Sequence, residues 1–139
     1  MTITKRAFLA AVSVLLLSAC AAHSPFIVKN TTDSSVVGQT KYPPHHDKVF
    51  VTEQALPADV AFDLIGTIDV GKVWYGSSQN VLTSMADRAR ELGANAVIQA
   101  KTWHQPSGFS WAAPHGSGQA VRLKDVSVLA SRGISGDWH

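Results

Sequence analysis

The sequence predicts an α+β fold, a small antiparallel or mixed sheet of roughly three to five strands packed against one main helix, behind a signal peptide and a flexible tether. Three observations predict it. Val81, Leu82, Met85, Ala86, Ala89 and Leu92 recur at helical spacing and Gly93 follows directly. Phe62, Leu64, Gly66, Ile68 and Val70 share one parity, with Asp63, Thr67 and Asp69 on the other. Short runs of strand composition, Val49-Phe50-Val51 and Ala96-Val97-Ile98, stand on either side of these two elements.

The chain opens with Lys5 and Arg6, an almost wholly apolar run from Ala7 to Leu17, then Ser18-Ala19-Cys20. A basic region, an apolar core and small residues before a cut are the layout of a secretory signal. A transmembrane helix needs about 20 apolar residues, and this core is about half that. Leu17-Ser18-Ala19-Cys20 matches the lipobox of bacterial lipoproteins. That resemblance implies cleavage before Cys20, diacylation of its thiol and anchoring in a membrane. Ala21-Ala22 behind it implies sorting to the outer membrane with the domain facing the periplasm.

Losing the first 19 of 139 residues leaves 120, a length for one small domain and a lead-in. The formal charge of +2 belongs to Lys5 and Arg6, so the mature chain balances 10 basic against 10 acidic residues. Neutrality gives no case for nucleic acid. Cys20 is the one cysteine, so its acylation removes disulfide, thiol nucleophile and thiolate metal chemistry from the mature chain.

Residues 20–47 read as tether, with the polar cluster Asn30 to Ser35 and the paired Pro43-Pro44. Phe26-Ile27-Val28 and Val36-Val37 are apolar patches able to add an edge strand. The folded part is expected over 48–125. Val49 to Glu53 is a strand, Leu56 to Asp59 a turn, and Phe62 to Tyr75 a half-buried strand in which Gly66 or Gly71 carries a bulge. Ser77, Ser78 and Asn80 offer N-caps for a helix over about Gln79–Leu92. Asn95 to Trp103 is the next strand, Gln105 to Gly118 a Pro/Gly/Ser loop, and Gln119 to Lys124 a returning strand. In the latter Ala120 points inward with either Val121 or Leu123. Residues 126–139 read as a fraying tail around Val126 to Leu129.

At Glu91-Leu92-Gly93-Ala94-Asn95-Ala96-Val97-Ile98 the chain resembles the small α/β domain of the YbjQ family and is similar to the folded domain of the Rcs envelope-stress sensor lipoproteins. Leu64-Ile65-Gly66-Thr67-Ile68 and Gly118-Gln119-Ala120-Val121-Arg122-Leu123 fit the strand patterns on either side. The resemblance spans roughly Val49 to Asp125. It implies the fold, a heavy-metal link for the first family and an envelope-stress role for the second. The sensor's domain is held by disulfides, which this chain cannot form.

Chemistry is sparse. His104 and His115 flank the expected loop and could meet if it folds back, with His45 and His46 joining them as zinc, copper or nickel ligands. Ser77-Ser78 lacks a nucleophile elbow, and N-capping accounts for it. Asp63 and Asp69 lie six residues apart, about 20 Å along a strand, too far for a carboxylate pair. No phosphate loop or dinucleotide fingerprint occurs, and neither catalysis nor a cofactor is expected. The aromatic residues Trp74, Tyr75, Trp103, Phe109 and Trp111 would form an exposed patch if they share one end of the sheet, a surface for an envelope protein or a second copy of the chain. The expected role is that of a non-catalytic structural, interaction or envelope-stress lipoprotein, with a metal-binding module as the alternative.

Overall fold

A computed structural model describes residues 29–38 and 41–139. The signal, the lipobox, Cys20 and Phe26-Ile27-Val28 lie outside the described residues. The fold is α+β, a six-stranded mixed sheet with one main helix. In chain order come β1 (Thr31–Val36), β2 (Phe50–Val51), β3 (Phe62–Gly71), α1 (Ser78–Glu91), β4 (Ala96–Ser107), β5 (Ser110–Leu123), α2 (Ser127–Ser131) and β6 (Asp137–Trp138). Across the sheet the order is β1-β3-β5-β4-β2-β6, antiparallel except where β2 runs parallel to β4.

The sheet is wider than expected because it draws on segments that read as tether and tail. Thr31 to Val36 pairs along β3 as an edge strand, and Asp137-Trp138 pairs with β2 at the other edge. Neither has an alternating apolar pattern. An edge strand with one neighbour and a solvated face does not need one. Leu129 of α2 is buried, and Trp138 meets Phe50 edge-on at 5.2 Å, so the C-terminal stretch closes the domain.

The larger correction concerns Gln105 to Gly118. It is no loop but the distal half of a long hairpin in which Trp103 faces His115 and Ser107 faces Ser110. Gly108-Phe109 makes the two-residue turn, with Gly108 at φ 55, the first position of a type II′ turn. The residues that suggested a loop have other jobs. Pro106 sits in the bulge between Gln105 and Ser107, a place that demands no ladder N–H. Gly116 lies under α1, where a Cβ would come within 2.6 Å of Met85 Cε and 2.7 Å of Val81 Cγ1, so helix and sheet touch there only without a side chain.

The bulge foreseen in β3 falls at Ile65: Leu64 pairs with Val121 and Gly66 with Ala120. One extra residue reverses the side-chain parity. Beyond it Ile68 and Val70 point under α1 as expected. Before it Phe62 and Leu64 turn to the opposite face and stay partly exposed, while Ile65 is buried. Both faces of the sheet therefore carry a core. Ile65, Ile68, Val70, Val81, Met85 and Val97 form one with α1, and Phe50, Val60, Ile98, Val121, Leu123 and Leu129 form the other. That is why Ala120, Val121 and Leu123 are all buried, with no choice of register needed.

Candidate functional site

Helix α1 divides the domain into two differently built ends. Its C-terminus is closed by a Schellman motif: Ala94 N–H donates to Ala89 O at 2.9 Å and Gly93 N–H to Arg90 O at 3.1 Å, with Gly93 at φ 76. Tyr42 lies directly on Gly93, where a Cβ would come within 2.5 Å of Tyr42 Cβ. The Tyr42 hydroxyl donates to Asp63, and the Arg122 guanidinium lies 5.5 Å over the Tyr42 ring while donating to Gly93 O at 3.0 Å. That hydrogen bond to the carboxylate, with desolvation and the Asp63 charge, holds the Tyr42 hydroxyl above its ordinary pKa of 10.0, against the opposing pull of Arg122. Asn95 keeps a negative φ. Its side chain grips the Leu123 backbone, Nδ2 donating to Leu123 O and Leu123 N–H to Oδ1, both at 2.8 Å. The Leu-Gly-Ala-Asn segment is thus a structural device whose four backbone N–H groups and Asn95 side chain are all engaged.

The N-terminal end of α1 is open. Ser77 occupies the N-cap position in extended conformation, but through its backbone: its carbonyl accepts from Asn80 N–H at 3.2 Å and its side chain makes no capping bond. Beside it the connection from β3 carries Trp74 and Tyr75, ring centroids 6.2 Å apart, and the hairpin tip brings Phe109 to 6.3 Å from Trp74. Phe109 N–H donates to Val73 O at 3.3 Å, which fixes the tip against the connection. Trp74 is 60% exposed, Tyr75 56%, Phe109 78% and Trp111 82%. A groove of about 340 Å³ runs from this cluster along α1, lined by Asn30, Lys72, Trp74, Tyr75, Asn80 and Ser84 among others. Lys72 Nζ donates to Ser84 Oγ at 2.8 Å, and Asn30 Oδ1 accepts from Val73 N–H at 3.0 Å.

Of the five aromatics expected to share a surface, Trp74, Tyr75 and Phe109 meet, and Trp111 stands two residues beyond Phe109 on the hairpin. Trp103 does not join them. It is half-buried on the sheet face opposite α1, stacked 6.2 Å from His115, with its Nε1 donating to Gln105 at 2.9 Å. Sequence reasoning missed Asn30 and Lys72, because nothing in a polar cluster or a lone lysine marks a groove until the chain is folded.

The four histidines are not brought together. His45 donates to Ala94 O at 2.6 Å beside the C-terminus of α1, and His46 is exposed next to it. His104 lies beyond the N-terminus, its Nε2 3.4 Å from Gly76 O. The 14 residues of α1 separate the two pairs by about 20 Å. His104 and His115 are themselves on opposite faces, since His104 pairs with Pro114 and His115 with Trp103. Among the described residues no group of three or more His, Cys, Asp or Glu is placed to hold a metal.

Compared with known protein families, with curated proteins and with solved structures, the chain matches none. Its function is therefore argued from its own residues.

Proposed function

We propose that this protein is a lipid-anchored outer-membrane lipoprotein whose small, non-catalytic α+β domain works through its aromatic end, facing the periplasm. The exposed cluster of Trp74, Tyr75 and Phe109 carries this reading. Monomeric domains seldom leave large rings adjoining one another in solvent, and Trp and Tyr are the residues that dominate binding surfaces. The anchor is argued from Leu17-Ser18-Ala19-Cys20 and from the loss of the net charge with the segment before it. Among the described residues no helix is long and apolar enough to cross a membrane; the lipobox makes attachment through acylated Cys20 the proposed route.

Palmitate labelling of wild type and Cys20→Ser tests the anchor. Label on the wild type alone is expected, and label that survives the substitution refutes it. Photocrosslinking from position 111 in intact envelopes tests the surface. Adducts are expected there and not from exposed Asp87 in α1, whereas equal yields at the two positions would remove the special status of the aromatic end.

A further inference from the structure

We infer that the aromatic end of the domain seats on the lipid surface that holds its own anchor, with Trp74, Tyr75, Phe109 and Trp111 at the level of the headgroups. The inference rests on the lipoprotein reading and names the occupant of that surface. Three observations converge on it.

The first is where the chain enters the domain. Asn30 is held by Val73 N–H at 3.0 Å and lines the same groove as Trp74 and Tyr75. It lies ten positions beyond Cys20, a span of at most about 36 Å even when fully extended. The anchored terminus therefore leaves from the aromatic end, and a lead of this length lets that end reach the bilayer. A tether this short sets an effective concentration in the millimolar range, so even a weak intrinsic affinity for lipid suffices.

The second is the kind of side chain. Trp and Tyr concentrate at membrane interfaces because each joins an apolar body to a polar tip. Two tryptophans, a tyrosine and a phenylalanine gather on one connection and one hairpin tip, and each is more than half exposed.

The third is charge. From Lys72 to Asn80 and from Lys101 to Gln119 the sequence holds two lysines and no carboxylate. The first turn of α1 has no acidic residue either, while its acidic residues Asp87 and Glu91 lie in the C-terminal half. The connection and the hairpin that carry the rings thus hold no carboxylate, and the nearest acids, Asp33 and Asp69, are register partners of each other on β1 and β3, which lowers repulsion between the rings' own segments and an anionic lipid surface.

The test uses the full, acylated protein in vesicles of phosphatidylethanolamine and phosphatidylglycerol, part of the lipid brominated along its acyl chains. Trp103→Phe with Trp138→Phe leaves Trp74 and Trp111 as reporters, and their emission is expected to be quenched, as for interfacial tryptophans. Trp74→Phe with Trp111→Phe leaves Trp103 and Trp138, which are expected to stay unquenched. Equal quenching of the two pairs, or none, overturns the inference. As a second readout, a photocrosslinking phenylalanine analogue replaces the 78% exposed Phe109 and is expected to capture lipid. Capture of an envelope protein instead overturns the inference and identifies a protein as the occupant. The mass of the Cys20 peptide separates the two readings. Acylated Cys20 without quenching defeats this inference alone, and unmodified Cys20 defeats the lipoprotein reading and this inference with it.

Discussion

At the N-terminal end of α1 Trp74, Tyr75, Phe109 and Trp111 present their rings to solvent, whereas at its C-terminal end Tyr42, Asp63, Arg122 and Gly93 close on one another. The two ends are built from the same strands and share one helix, so the contrast does not come from the scaffold. At the closed end every group singled out has a partner within the domain, and the chemistry is spent on holding the helix terminus, the lead-in chain and β5 together. At the open end the backbone is fixed, by Phe109 to Val73 and by Asn30 to Val73, but the large side chains are not covered. A rigid frame carrying uncovered aromatic rings is what a binding surface requires.

The comparison breaks first at Gly93. Gly93→Ala forces a left-handed backbone on alanine and drives its Cβ into Tyr42, so about 2–4 kcal/mol of stability should be lost in thermal or denaturant unfolding. Asn95→Ala removes both bonds to the Leu123 backbone and leaves that N–H and C=O unpaired at the sheet, for a loss of roughly 1–3 kcal/mol by the same measurement. At the open end, Trp74→Ala combined with Phe109→Ala should change stability by no more than about 1 kcal/mol, because exposed rings gain little from one another. That variant should still lose lipid quenching, which separates function from folding at this end.

The smallest effect is a titration. Tyr75→Phe leaves Tyr42 as the last of two tyrosines, and its absorbance change should fall above pH 10.0, moving down when Asp63→Asn is added. The folded state favours the protonated hydroxyl, so the bond stabilises the fold below the ordinary tyrosine pKa. That contribution is lost as pH rises through the raised value.

Much of this fold was legible in the sequence, for reasons that differ by element. Helix α1 and its Gly93 cap were readable because helical periodicity and a left-handed C′ glycine are both local signals. A bulge or bend was expected at Gly66 or Gly71 and falls at Ile65, but its effect was not foreseen, since which face Phe62 and Leu64 reach depends on their partners Leu123 and Val121. The hairpin was hidden because Pro106 and Gly116 answer to a bulge and to Met85 respectively, neither of which is a local matter. Edge strand β6 was missed because Asp137-Trp138 is too short to carry an alternation, and at β1 an edge strand was expected only from Val36-Val37, because Thr31 to Ser35 is a polar run. At the candidate site, Trp74, Tyr75 and Phe109 were named from composition and do meet, while Trp103 was separated from them by the pleat of β4. The histidines looked like a set on paper, and α1 holds them apart.

Hydrogen–deuterium exchange of the acylated protein in vesicles, set against the Cys20→Ser form in solution, tests the central claim most directly. Amides of residues 72–77 and 107–112 should exchange more slowly on the vesicle, and those of residues 89–95 at the closed end should be unchanged. Slowing confined to residues 89–95, or no difference between the ends, would contradict the account.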